Sequence, residues 1–144
     1  VPVPCVAHFS GNFAETSTSD ACAMIGAGSA APAEATLSLS IPSTKLGGPL
    51  AVTIDLGPAV TPGQYAPESV TAWSARAIAN VGFGACVYLA GNTAIPQGSF
   101  ALSLAEVDAK TGAAHGTLTV EQSVLAFPGT DCGAVDTEQT AVSF

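Results

Sequence analysis

The chain has 144 residues, of which 48% are hydrophobic and only 10% are Asp, Glu, Lys or Arg, so intrinsic disorder is excluded. This length fits a single domain, residues 1–144, with a core of its own. Eleven acidic residues against the isolated Lys45, Arg76 and Lys110 give a formal net charge of −8. This balance excludes nucleic acids and anionic membrane surfaces as partners, because both are bound through clustered cations.

The chain begins with Val1-Pro2-Val3-Pro4, which lacks the basic start and the long apolar run of a signal peptide. We expect Val1 to be the first residue of a trimmed chain, with any signal or lipid-attachment cysteine removed upstream. The most apolar stretches, such as Leu50 to Leu56, are much shorter than the roughly 20 residues of a membrane-spanning helix. The sequence therefore predicts membrane contact only through a lipid anchor ahead of Val1.

The run Gly26–Ala31 follows the apolar residues Ala23–Ile25 and imitates a dinucleotide-binding turn. That motif needs a helix that opens directly after its glycines, so that backbone N–H groups point at the pyrophosphate. Here Pro32 and Pro42 interrupt the segment, and Leu37–Ile41 alternates with the period of a strand. The run is therefore predicted to be a Gly/Ala/Ser loop.

Apolar and polar residues alternate along much of the chain, which predicts strands with one buried and one solvated face. The clearest cases are Leu37–Ile41, Leu50–Leu56, Phe100–Leu104, Leu118–Val120 and Thr137–Phe144. Ala72–Asn80 is rich in alanine, but it carries Trp73 and Ile78 and no clear helix cap, so it is also predicted to be a strand. The pattern favours an antiparallel β-sandwich, immunoglobulin-like or jelly-roll-like, of about eight to ten strands.

The clearest hairpin is predicted over Ser99–Leu125, with a loop at Asp108–Gly112 and a return strand that begins near Gly116. Glu106 and Asp108 lie two residues apart, so their side chains share one face of a strand, as the two carboxylates of a glycosidase could. We favour a structural interpretation, in which Asp108 starts the turn and Glu106 marks a solvated strand end.

The four cysteines, Cys5, Cys22, Cys86 and Cys132, are widely spaced and contain no CxxC pair, which favours two disulfides over a zinc site. Four cysteines allow three connectivities. We favour Cys5–Cys22 and Cys86–Cys132, because each pair would join neighbouring strands. Disulfides persist in oxidising compartments, so the sequence predicts a secreted, periplasmic or cell-surface protein.

The two histidines, His8 and His115, are the candidate general bases of the chain. Neither lies in a recognised catalytic motif, and the chain contains no Gly-x-Ser-x-Gly sequence. With all four cysteines assigned to disulfides, no thiol nucleophile is left. The sequence therefore predicts no catalytic residue.

Asp131, Asp136 and Glu138 cluster around Cys132 near the end of the chain, and Glu121 precedes them. Calcium binds about six to eight oxygen atoms, often from loop carboxylates, and an acidic extracellular chain can supply them. Asp131, Asp136 and Glu138 are therefore a candidate calcium site, and the alternative is a solvated acidic loop. No other cofactor is predicted.

Trp73 is the only tryptophan of the chain, and Tyr65 and Tyr88 are its only tyrosines. An exposed ring could serve as a platform for a sugar, but a lone tryptophan in a β-domain is usually part of the core. We expect Trp73 to be buried.

The run Gly98–Leu104, followed by Val107 and Ala114–Leu118, resembles the C-terminal hairpin of uncharacterised secreted lipoproteins of myxobacteria and their relatives. The resemblance covers the second half of the chain, and the alanine-rich, lysine-poor composition agrees with it. It implies a β-sandwich and a cell-envelope location, and no particular activity. A weaker similarity, through His8–Gly11 and Ala21–Ala23, is to chaperone-assembled pilins, although two disulfides are one more than such subunits are expected to carry.

We therefore expect a non-catalytic binding or structural module of the cell envelope or extracellular space, whose partner is another protein or a polysaccharide. The sequence leaves two alternatives open. One is a small secreted hydrolase that uses His8 or His115 with a neighbouring acid, and its mark would be a deep pocket. The other is a pilin-like assembly subunit, recognisable by an open groove that lacks one strand.

Overall fold

The computed structural model describes residues 4–27, 35–58, 60–81, 84–92, 97–108, 110–127 and 129–144. This part of the chain forms eleven β-strands and one short 3-10 helix, Pro67–Ser69. The strands are β1 (Cys5–Ser10), β2 (Glu15–Ser19), β3 (Ala23–Ala27), β4 (Ala35–Ile41), β5 (Leu50–Gly57), β6 (Gly63–Tyr65), β7 (Ala72–Val81), β8 (Gly84–Gly91), β9 (Ser99–Asp108), β10 (Ala113–Phe127) and β11 (Thr137–Ser143). The predicted all-β class is confirmed, and the described residues include no α-helix.

All strand pairings are antiparallel, and nine strands follow one continuous path in the order β2-β1-β11-β10-β8-β7-β5-β4-β3. The other two strands lie beside this path, with β9 paired to β10 and β6 paired to β9. The result is one sheet curled into a half-barrel, where the sequence favours the two packed sheets of a sandwich.

The long strand β10 is the reason that the strands form a single sheet. Its residues 113–121 pair with β9, and its last residues, Ser123–Phe127, pair with β8 on the same side. On its other side, Thr117–Ser123 pair with β11. One strand thus joins what would be two sheets, and alternation along the sequence does not reveal this, because it gives the buried face of a strand but not its neighbours.

The inward faces of the strands meet in one apolar core, in which the alternation predicted for Leu37–Ile41 and Leu50–Leu56 is confirmed. Ala72–Asn80 is confirmed as a strand, β7, and its Trp73 lies in the core as expected, 3% exposed. The Trp73 ring meets the Phe100 ring of β9 edge-on, with centroids 4.8 Å apart. This contact ties the β7 part of the sheet to the β9 part across the core.

The predicted hairpin over Ser99–Leu125 is confirmed as β9 and β10, although the return strand begins at Ala113 rather than near Gly116. Ala113 and the two residues after it carry little strand signal of their own, and they are held in the sheet by pairing with the end of β9. The predicted Gly26–Ala31 loop lies outside the described residues beyond Ala27, and its first two residues belong to β3.

The two disulfides pair as predicted, Cys5 with Cys22 and Cys86 with Cys132, with Cα atoms 5.9 and 5.8 Å apart. The reason given for that pairing is wrong, because neither bridge joins neighbouring strands. Cys5 on β1 is tied to the residue that precedes β3, and Cys86 on β8 is tied to the loop between β10 and β11. The first bridge therefore links β1, the neighbour of the outermost strand β2, to the residue before β3, the outermost strand at the other end of the path.

Candidate functional site

The turn end of the β9–β10 hairpin contains a shallow groove of about 490 Å³. Its lining includes Glu106 and Asp108, which the sequence singled out as a pair of carboxylates, and His115, which it singled out as a candidate general base. The other residues that line it are Pro62, Ala105, Val107 and Ala113. The sequence placed the two acids on one face of the strand, and the fold adds the histidine to them.

A β-bulge positions these side chains. Leu104 pairs with Gly116 and Glu106 pairs with His115, so Ala105 is left without a partner and the strand changes face. This is why Glu106 breaks the apolar alternation, as the sequence suggested: beyond the bulge its side chain is exposed beside His115. Gly116 allows the two backbones to approach, because a Cβ there would collide with the Ser103 carbonyl oxygen.

Asp108 begins the turn, as predicted from its position. Its Oδ1 accepts a hydrogen bond from the backbone N–H of Lys110 at 3.0 Å. This bond, followed by one from the Thr111 side chain, lowers the pKa of the Asp108 carboxyl below its ordinary value. Asp108 is thus occupied by its own turn, and Glu106 is the acid of the groove that remains available.

His115 is half-buried, and its Nδ1 is buried with no hydrogen-bond partner among the described residues. No serine, threonine or cysteine occurs among the described residues that line the groove, so its chemistry is that of an imidazole beside a carboxylate. His8 lies elsewhere, exposed on β1, with its Nδ1 3.1 Å from the Thr16 hydroxyl.

The three acids of the calcium hypothesis are not brought together. Asp131 and Asp136 are exposed, and Asp131 Oδ1 accepts a hydrogen bond from the Gly133 backbone N–H at 3.0 Å. Glu138 points the other way, into the protein, and is only 1% exposed. Within the described ranges, no group of three or more His, Cys, Asp or Glu side chains could hold a metal ion.

Because Glu138 is turned inward, we expect the melting temperature to be the same in EDTA and in millimolar calcium. Calcium at a hundred times its Kd would add about 2.7 kcal/mol to the free energy of unfolding, which is several degrees for a domain of this size. Differential scanning calorimetry in both buffers measures this. A rise of several degrees that Asp131→Asn abolishes would instead establish the calcium site.

The outer face of the sheet carries an apolar surface that the sequence analysis missed. Ile78 on β7, Val87 on β8 and Leu125 on β10 form one cross-strand row, flanked by Leu89 and Phe127. Leu125 is 38% exposed and Phe127 is 52% exposed. We call these five residues the outer apolar patch. The sequence signal was the loss of alternation in Cys86–Ala90 and Val124–Phe127, where both faces of the strand are apolar.

A groove of about 270 Å³ begins at the edge of this patch and runs over β5 and β7. Its apolar lining is formed by Gly47, Gly48, Pro49, Ala51, Ala77 and Ile78. Arg76 lies at the junction of groove and patch, exposed, and it is one of only three basic residues in an acidic chain. Patch, groove and Arg76 therefore form one continuous surface.

Comparison of the chain with protein-family models, with curated proteins and with solved structures finds no match. In the described part of the chain, no helix has the length and apolar character needed to cross a membrane.

Proposed function

We propose that the protein is a non-catalytic binding module of the cell envelope or extracellular space, and that it binds a partner protein through the outer apolar patch. The two disulfides support a secreted, periplasmic or cell-surface location, because such bonds persist in oxidising compartments. The resemblance to secreted lipoproteins of myxobacteria belongs to the same proposal, with a lipid anchor ahead of Val1 as the route to a membrane.

The observation that carries the proposal is the exposure of Leu125 and Phe127 on a strand whose outward neighbours are also apolar. A contiguous apolar surface on the outer face of a sheet has no role in the core of its own chain. Such surfaces commonly mark interaction sites. A protein partner is favoured over a polysaccharide, because the exposed side chains of the patch are aliphatic or phenyl and offer no hydrogen-bonding group to a sugar.

The chemistry of the surface also indicates which kind of partner would fit it. The groove beside Ile78 accommodates an apolar side chain, and Arg76 at its edge favours a carboxylate next to that side chain. A partner segment with alternating apolar residues and an acid would therefore fit the surface. The chain has a formal net charge of −8, so it repels an acidic partner segment. Arg76 offsets this repulsion at the proposed contact.

The finer fold assignment, a sandwich, is part of this proposal. Such a sandwich would have two layers. One layer is the part of the sheet that contains β9, β11 and β1, and the other is the part that contains β8, β7 and β5. A single core that draws residues from both parts supports this arrangement, as does the contact of the Trp73 and Phe100 rings. The outer apolar patch would then lie on the solvent side of one layer.

We expect the double variant Leu125→Ser/Phe127→Ser to weaken partner binding at least tenfold, because a buried apolar anchor contributes about 1–3 kcal/mol. The partner is first identified by photo-crosslinking from a benzophenone residue at position 125, using the envelope fraction of the source cells. Its affinity for each purified variant is then measured by isothermal titration calorimetry.

Met24→Ser is the matched control, since Met24 is the most exposed large apolar side chain among the described residues (64%) and lies on β3, away from the patch. It should leave the affinity unchanged, and all variants should keep their melting temperature because the replaced side chains face outward. Equal loss of affinity in Met24→Ser and in the patch variant would contradict the proposal. If position 125 crosslinks only to a second copy of the chain, the partner is that second copy and the proposed partner protein is wrong. If the protein binds only to polysaccharide, the partner is a polysaccharide.

A further inference from the structure

Glu138 is a fully buried carboxyl near the start of β11, and its hydrogen-bond donors come from one loop. Its Oε2 accepts the backbone N–H of Asn12 at 3.0 Å, and its Oε1 accepts that of Phe13 at 3.4 Å. Both donors belong to Gly11–Phe13, the loop that joins β1 to β2. Gly11, with a φ of +135°, is required there, because a Cβ would collide with Glu138 Oε2.

The same loop also holds the segment that leads into β11. Asn12 Nδ2 donates to the Val135 carbonyl at 2.9 Å, and the Val135 N–H donates to Asn12 Oδ1 at 3.0 Å. Gly133 lies directly against the Asn12 side chain. Glu138 and Asn12 therefore join two loops, which the fold brings together over one end of the core.

The surroundings of Glu138 supply no cation among the described residues. On β10 its cross-strand neighbour is Gln122, whose Nε2 donates to the Tyr88 carbonyl at 2.9 Å, and on β11 the next inward residue is Thr140. From β8 the titratable group that faces it is Tyr88, whose pKa is raised by burial and then by the Glu138 carboxylate. The nearby acids Asp131 and Asp136 are exposed on the loop that Asn12 binds.

We propose that Glu138 controls the Gly11–Phe13 loop through its proton: the loop is docked over the neutral carboxyl and detaches when the carboxyl ionises. A neutral carboxyl can remain buried with few partners. A carboxylate in the same place keeps only two backbone N–H donors and no positive charge, so ionisation favours the conformation that admits water. The segment that opens is Gly11–Phe13, because both donors to the carboxyl belong to it. Its opening also releases the Phe13 ring from Phe9 and Tyr88, whose ring centroids lie 5.5 and 5.7 Å away.

The direction of the effect follows from the two protonation states. Burial raises the pKa of Glu138 from its ordinary 4.5 to about 7, against the opposing effect of the Phe13 and Asn12 N–H groups. The docked loop is thus fully stabilised below about pH 4.5, and this stabilisation is lost as the pH rises through about 7. The docked loop is therefore most stable in acidic solution, and opening becomes more frequent as the pH rises toward neutrality.

Amide hydrogen exchange on the whole chain, read by NMR, tests this proposal. From a docked-state pKa of about 7 and an open-state value near 4.5, we expect the protection of the Asn12 and Phe13 amides, corrected for intrinsic exchange, to fall about 30-fold between about pH 5.5 and 8.5. In Glu138→Gln the protection of the two amides should no longer depend on pH, while the matched exposed control Glu68→Gln should behave as the wild type.

A second measurement keeps the proposal testable if the glutamine side chain disturbs the loop. The carboxyl carbon of Glu138 in the unmodified protein should titrate near pH 7, together with the amide shifts of Asn12 and Phe13. A titration midpoint of the Glu138 carboxyl carbon below pH 5 would overturn the proposal. Equal protection of the Asn12 and Phe13 amides at pH 5.5 and pH 8.5 in the wild type would also overturn it.

Discussion

Replacing Trp73 with alanine is expected to lower the free energy of unfolding by about 3–5 kcal/mol. The side chain is almost fully buried, and its ring meets Phe100 edge-on at 4.8 Å, so the substitution opens a large cavity between β7 and β9. Equilibrium unfolding in guanidinium chloride measures this, with an unchanged slope showing that the native state is otherwise intact.

Trp73→Phe is the matched control, because it keeps an aromatic ring against Phe100 and removes the indole N–H. That N–H is buried without a hydrogen-bond partner among the described residues, so its removal offsets part of the lost packing. We expect Trp73→Phe to be clearly more stable than Trp73→Ala. A loss below about 1 kcal/mol in Trp73→Ala would contradict the assignment to the core and revive the sugar-platform interpretation.

Local features of the fold were predictable, because burial in a sheet has a period of two. The alternation in Leu50–Leu56 and the composition of Ala72–Asn80 indicated strands, and both are strands. The path of the sheet was not predictable, since it depends on how the long strand β10 divides its pairing between β9 and β8. That division is set by tertiary packing and leaves no periodic signal.

For the candidate sites too, the sequence indicates which face of a strand a residue occupies but not which residues lie beside it. Glu138 was grouped with Asp131 and Asp136 because the three are close in sequence. Yet its position, two residues before Thr140 and four before Val142, already gave it the inward face of β11. Strand parity could therefore have separated Glu138 from the exposed acids. The pairing of Glu106 with His115 could not have been found this way, because it depends on the bulge at Ala105.

Removing the Cys86–Cys132 bridge, by replacing both cysteines with alanine, is expected to cost about 4 kcal/mol, and removing Cys5–Cys22 about 3 kcal/mol. The difference comes from the lengths of chain that the bridges close, with sequence separations of 46 and 17 residues. A longer closed loop restricts the unfolded chain more. Equilibrium unfolding of the two double-alanine variants measures both costs.

The Cys86–Cys132 bridge also has a local role, because Cys132 lies in the loop between β10 and β11, whose other attachments are few. The pair formed by Asn12 and Val135 holds one part of this loop, and the backbone bond from the Val124 N–H to the Asp136 carbonyl holds its end. Loss of the bridge should therefore increase exchange of the Val135 amide more than loss of Cys5–Cys22 does. Equal destabilisation by both removals, with equal exchange at Val135, would show that loop length does not govern their contributions and that Cys132 does not hold this loop.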